Sequence, residues 1–298
     1  MTVLPILSGL REIAGDYDAL IIDLWGVLHD GRTAYPGAVE TLRQLRQQGK
    51  STLLLSNAPR RAEALVAMME GLGFARADYG YLMSSGEAVY RELACPADPW
   101  FAGLGRCCLH LGPARDRPLF EGLPIKRVER LDEADFILNT GPGQWQETLD
   151  HFVPLLEAAA MRRLPMICAN PDLTVIHEGH PMICAGSLAR HYEALGGEVR
   201  YRGKPDPAIY QVCFDLLACP DRRRILAVGD GVLTDIAGAR AVGIDSLFCT
   251  GGIHAAALGT RWGQPPDPLT LQTWLKEQGF NPTSREAGPR AAIARFVW

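Results

Sequence analysis

The apolar run Ala19-Leu20-Ile21-Ile22 stops at Asp23, and that ending constrains the fold more than any other feature of the chain. Four apolar residues closed by a turn signal read as a buried strand. The pattern recurs: Thr52-Leu53-Leu54-Leu55 ends in Ser56-Asn57, and Ile225-Leu226-Ala227-Val228 runs into Gly229-Asp230. Helical spacing fills the intervals, with Val39, Leu42 and Leu45 on one face and Leu65, Met68 or Met69, and Leu72 on another. Tyr81-Leu82-Met83 then leads into Ser84-Ser85-Gly86-Glu87, a helix-opening signature. Such alternation predicts βαβ units on a parallel sheet. A carboxylate at a strand end then lies at the carboxyl edge, where open α/β sheets bind their ligands. Asp23 can there attack an electrophile or hold a cation.

The alternation pauses at Cys95-Pro96-Ala97-Asp98-Pro99, which reads as a hinge. A second α/β unit follows. Its strands are Cys107–Leu111, Phe136-Ile137-Leu138 and Met166-Ile167-Cys168, and a helix carries Trp145, Leu149, Phe152, Leu155 and Leu156. The first style resumes after Gly203-Lys204-Pro205, with a helix through Ile209, Cys213 and Leu217 and another through Ile236 and Ala239. Asp245-Ser246-Leu247-Phe248-Cys249 is the last clear parallel strand, and Ile293 to Trp298 reads as an edge strand or a loose tail. The expected architecture is a Rossmann-like, doubly wound α/β core, residues 1–97 and 199–298, with a smaller α/β domain, 98–198, inserted in it.

With 298 residues the chain can bury a large core, and its formal net charge of −4 predicts no bulk attraction to nucleic acid or anionic membrane. The short basic clusters Arg60-Arg61 and Arg222-Arg223-Arg224 read as solvated ends of helices or loops. No run approaches a membrane span, and the N-terminus lacks a secretory signal, so a cytoplasmic location is expected. The eight cysteines have no zinc or redox spacing and read as reduced thiols.

Four loops each present a different group. Asp23 offers a nucleophilic carboxylate. Ser56 and Asn57 offer donors to an anionic oxygen. Lys204 offers a fixed positive charge. Asp230 and Asp235 place two carboxylates about one loop, and hard oxygen ligands of this kind suit Mg²⁺. Phosphoryl transfer needs this inventory.

The order of these segments resembles the haloacid dehalogenase superfamily, whose four signatures match at Asp23, Ser56, Lys204 and Gly229-Asp230…Asp235. The stretch Asp23 to Leu28, with Tyr35-Pro36-Gly37-Ala38 after it, is similar to the class IIA branch of phosphatases. So are Asn170-Pro171-Asp172, Gly186-Ser187-Leu188 and the position of the inserted cap. The resemblance covers about residues 15–255. It implies a Mg²⁺-dependent phosphatase of a small organic phosphate, forming an aspartyl-phosphate on Asp23. It also implies metal ligation by Asp23, Asp230, Asp235 and the backbone carbonyl of Trp25. Ser56 and Lys204 would donate to the phosphoryl oxygens, Asn57, also counted among the substrate-binding residues, would orient the loop, and a homodimer through the cap is expected.

Trp25 departs from the pattern, because family phosphatases place there an Asp that protonates the leaving group and then activates water. Indole has one donor and no basic site. His177 and His180, on a segment read as a loop, could contact substrate or stand in for the absent acid. His29 and Asp30 could reach the mouth of the site or form a solvated turn, and His254 reads as structural. Two other readings stay open: a regulatory module that binds a phosphometabolite without turnover, and a dehalogenase-like hydrolase of another leaving group.

Overall fold

A computed structural model describes residues 4–144, 146–177 and 180–298, without the side chain of His177. The expected position of Trp145 on a helix therefore lies outside the described residues. The strands in chain order are β1 (Ile6–Leu7), β2 (Ala19–Ile22), β3 (Ser51–Ser56), β4 (Tyr81–Ser84), β5 (Cys107–Leu111), β6 (Lys126–Val128) and β7 (Phe136–Asn139). They continue with β8 (Met166–Cys168), β9 (Thr174–His177), β10 (His180–Ile183), β11 (Val199–Tyr201), β12 (Ile225–Gly229), β13 (Asp245–Cys249) and β14 (Ala291–Ile293). The chain divides into two compact units, one of residues 1–56, 65–83 and 210–298, the other of 57–64 and 84–209.

The first unit is built on a seven-stranded sheet of order β1-β14-β13-β12-β2-β3-β4, and β2 pairs in parallel with both β3 and β12. The chain leaves β2 toward β3 and β4, then returns on the other side of β2 as β12. Strand order therefore reverses between β2 and β12, and open α/β sheets form their ligand crevice at such a point. Alternate residues of one strand face opposite sides. Leu247 and Cys249 join a cluster with Leu20, Ile22, Leu42, Leu45, Leu54 and Val228, whereas Phe248 joins Val232, Ile236, Leu271 and Leu275. Helices Ala38–Gln47 and Pro268–Glu277 supply residues to these two clusters respectively.

Two expectations about the ends of this sheet are corrected. Asp245–Cys249 is not the last parallel strand, and the C-terminal segment is neither an edge strand nor a tail. Strand β14 lies between β13 and β1, parallel to both, and all three of its residues are buried. The Leu10 amide donates to the Val297 carbonyl at 2.7 Å, so the last residues are tied back to the first.

The second unit carries a five-stranded parallel sheet of order β11-β8-β7-β5-β6 and an antiparallel pair, β9 with β10. One face packs Leu109, Ile137 and Met166 against Leu156, Leu188 and Tyr192, and the other packs Cys108, Phe136 and Ile167 against Val89 and Phe101. Ser84 caps the helix Ser85–Ala94, accepting from the Glu87 amide at 3.0 Å. None of the eight cysteines is in a disulfide, and five are buried. Among the described residues no helix is long and apolar enough to cross a membrane.

At the start of β13, Asp245 accepts from the buried Tyr17 hydroxyl at 2.6 Å and pairs with Arg285 and Arg290. Burial alone would raise its carboxyl, but bonds from Arg285 and Tyr17 outweigh that and hold it below the usual carboxylate value. A carboxyl lowered by folding stabilises above its unfolded pKa of about 3.9, and that contribution is lost as pH falls through the folded value. Asp245→Ala is expected to cost about 1–3 kcal/mol at neutral pH. Urea unfolding from pH 7 down to pH 3 should show the gap between wild type and variant closing at the acid end. A gap constant across that range would refute the assignment.

Candidate active site

Asp23, Ser56 and Asp230 stand at the carboxyl ends of three neighbouring strands, β2, β3 and β12. Parallel register sets Ile22 beside Leu54 and Val228, and the Asp23 amide donates to the Val228 carbonyl at 2.8 Å. Asp235 follows on the turn Val232–Ile236, whose first bond runs from the Asp235 amide to the Gly231 carbonyl at 2.8 Å. Asp23, Asp230 and Asp235 are all buried, and each offers an oxygen within 4.8 Å of the others.

Three like charges at this spacing repel by about 3 kcal/mol per pair at an effective dielectric near 20. A divalent cation relieves that repulsion, and an all-oxygen donor set suits a hard ion. The residues present therefore fit a divalent metal. The neighbouring Cys249 thiol reports the same field: burial pushes it well above its ordinary value, and the three carboxylates add to the shift. Backbone holds the acids in place. The Ile253 amide donates to Asp230 Oδ2 at 2.8 Å and the Gly231 amide to Asp235 Oδ2 at 3.0 Å. Gly26, at φ +86°, leaves room for Asp230, since a Cβ there would come within 1.9 Å of Oδ2.

Trp25 is half-buried and folded onto its own turn. Its six-membered ring lies so close to Gly31 that a Cβ on Gly31 would come within 2.2 Å of it. His29 meets the indole edge-on at 5.7 Å. His29 is buried rather than solvated. Its Nδ1 accepts from the Gly31 amide at 2.9 Å, which leaves the proton on Nε2, and burial pushes its pKa down to about 4. Asp30 is the exposed member of the pair and caps the turn, accepting from the Arg32 and Thr33 amides. His254 packs against Phe248 and Trp274, with burial lowering it to about 4.

Asn57 and Lys204 belong to the second unit, where the structure joins them directly. The Lys204 amide donates to Asn57 Oδ1 at 2.7 Å, and Asn57 Nδ2 donates to the Lys204 carbonyl at 3.0 Å and to Asp172 Oδ1 at 2.8 Å. The Asn57 amide is thus engaged with protein partners. Gly203, at φ +127°, passes so close to Asn57 and Ser85 that no side chain would fit. His177 and His180 are not on a loop: they are partners across the β9–β10 pair, with His180 exposed. The side chain of His177 lies outside the described residues. The amide of Ile253 escaped sequence reasoning, although the Gly251-Gly252 doublet after a strand was its signal.

Residues 20–125 match the family of haloacid dehalogenase-like hydrolases, and residues 201–273 match the HAD-hydrolase-like family. A D-glycerol 3-phosphate phosphatase of Mycobacterium tuberculosis is 30% identical over 253 residues, spanning 83% of this chain and 67% of that protein. Chronophin of Mus musculus is 31% identical over 266 residues, 83% of this chain and 86% of chronophin. A crystal structure of a haloacid dehalogenase-like hydrolase from Brucella suis matches with a TM-score of 0.81 at 32% identity, covering 98% of this chain and 100% of that one. With its carboxylates at the switch point of a doubly wound sheet and relatives along most of its length, the chain belongs to the haloacid dehalogenase-like hydrolases.

Proposed function

We propose that the chain is a divalent-metal-dependent phosphatase of a small organic phosphate. The buried trio Asp23, Asp230 and Asp235 carries this reading. These carboxylates, with the Trp25 carbonyl, would hold Mg²⁺, which when bound offsets charge on the phosphoryl oxygens. Asp23 attacks phosphorus as the bond to the leaving oxygen breaks, and water then hydrolyses the aspartyl-phosphate. Ser56 and Lys204 donate to the phosphoryl oxygens, and Asn57 orients the Lys204 loop. The second unit is the candidate cap, and His177 and His180 are its candidate substrate contacts. The name of the Mycobacterium tuberculosis relative makes glycerol 3-phosphate the first substrate to test.

Trp25 limits the chemistry, because indole can neither protonate a leaving alcohol nor activate water. The first displacement should therefore proceed readily only where the leaving group needs no proton, and hydrolysis of the aspartyl-phosphate should be slow for every substrate. The wedging of Trp25 against His29 and Gly31 also favours a second reading, a module that binds a phosphometabolite without hydrolysing it. Calorimetry showing tight binding with no phosphate release would select that reading.

Steady-state assays with p-nitrophenyl phosphate and Mg²⁺ should show turnover that EDTA removes and that Asp23→Asn lowers by at least about 10³-fold. EDTA-insensitive activity would sink the metal assignment, and chloride or fluoride release under EDTA would point to a dehalogenase-like reaction. Trp25→Asp should raise kcat on both substrates, by about 10²-fold on glycerol 3-phosphate, within the range of positioned acid–base catalysis. A fall on both substrates, with unfolding unchanged, would give the indole a positive role.

A further inference from the structure

Arg202 is a buried guanidinium two residues before Lys204, and it gathers three carboxylates. Its Nη2 contacts Glu92 Oε1 at 3.0 Å and Asp98 Oδ2 at 3.3 Å, and its Nη1 contacts Asp206 Oδ2 at 3.2 Å. Nη1 also donates to the Tyr201 carbonyl at 2.9 Å, and the guanidinium carbon lies 4.5 Å from the centre of the Phe101 ring. An arrangement that buries a cation among three acids is costly to desolvate and is weak evidence for stability. What it does supply is directional, since the planar fork fixes each partner in place.

Those partners bracket the turn that carries Lys204. The Asp206 amide donates to the Gly203 carbonyl at 2.8 Å, closing the four residues Gly203-Lys204-Pro205-Asp206. Asp206 Oδ1 accepts from the Ala208 amide at 3.1 Å and so caps the helix Pro207–Leu217, while its other oxygen is held by Arg202. On the near side, the Ser85 hydroxyl donates to the Arg202 carbonyl, and the Arg202 amide donates to the Cys168 carbonyl at 3.1 Å. The Lys204 backbone is meanwhile gripped by Asn57 from both sides of the residue. Glu92 lies on the helix Ser85–Ala94 and Asp98 in the pause that follows it, so one guanidinium ties that stretch to the Lys204 turn.

We propose that Arg202 is a positioning residue for Lys204, acting through Asp206 to fix the turn from which the ammonium group reaches a phosphoryl oxygen. Arg202 touches no substrate. This rests on the reading of Lys204 as a phosphoryl-oxygen donor. Outer partners that orient a directly binding group are typically worth about 10–100-fold in affinity or activity.

The test is a double-mutant cycle on kcat/KM with p-nitrophenyl phosphate and Mg²⁺, using Arg202→Met and Lys204→Ala, with urea unfolding of every variant. Arg202→Met should lower kcat/KM by about 10-fold or more in the wild-type background and by less than about 3-fold in the Lys204→Ala background. Equal losses in both backgrounds, or no loss in the wild-type background, would overturn the proposal, because a merely structural role is additive with Lys204. Arg202→Lys should not restore activity, since a single ammonium cannot reproduce the fork. If Arg202→Met does not fold, Asp206→Asn in the same cycle carries the test with the same outcomes. Should Lys204→Ala itself leave kcat/KM unchanged, the reading of Lys204 fails first, and that outcome is distinct from additivity.

Discussion

Crowded negative charge is the constraint around which the first unit is arranged. Asp23, Asp230 and Asp235 are buried within reach of a single ion, where their mutual repulsion opposes folding unless something holds them. The sheet does this. Parallel pairing of β2 with β12 brings two strand ends level, the Asp23 amide is bonded to the Val228 carbonyl, and the amides of Gly231 and Ile253 each hold one of the other acids. Backbone donors of this kind keep the carboxylate oxygens aimed. The interior strands around them, apolar on both faces, provide the rigidity that the repulsion demands.

A different logic governs the turn after β2. Two of its side chains are packed against each other: Trp25 lies on Gly31, and His29 meets the indole edge-on with its own Nδ1 bonded to the Gly31 amide. Burial keeps that imidazole neutral through the physiological range. The turn therefore holds a fixed aromatic group two residues after Asp23.

Long, strongly periodic segments were legible in the sequence. The strands ending at Asp23, Ser56 and Asp230, the helices between them and the three carboxylates were all readable, because apolar periodicity is a local property. Most of the short strands were not, although the three-residue Met166–Cys168 was readable as an unbroken apolar run. Strand β1 has two residues and β6, β11 and β14 have three each, too few for any period to register. Strand β14 forms because an open edge on β13 accepts it and the N-terminal β1 covers its other side. The β9–β10 pair was hidden for a similar reason, since Pro181 within it reads as a strand breaker.

Chemistry and order were determined by the sequence alone: which residues can attack, ligate or carry charge, and on which strand ends they stand. Partnership was decided by the tertiary structure. Asn57 reads as a substrate-binding and loop-orienting residue, but its partners Asp172 and Lys204, 115 and 147 positions away, emerge only in the fold. Nothing in the sequence singles out Arg202, around which the fold gathers Glu92, Asp98 and Asp206. No local pattern encodes such bonds, because their energy arises only after the intervening chain has folded and excluded the water that would otherwise satisfy each group.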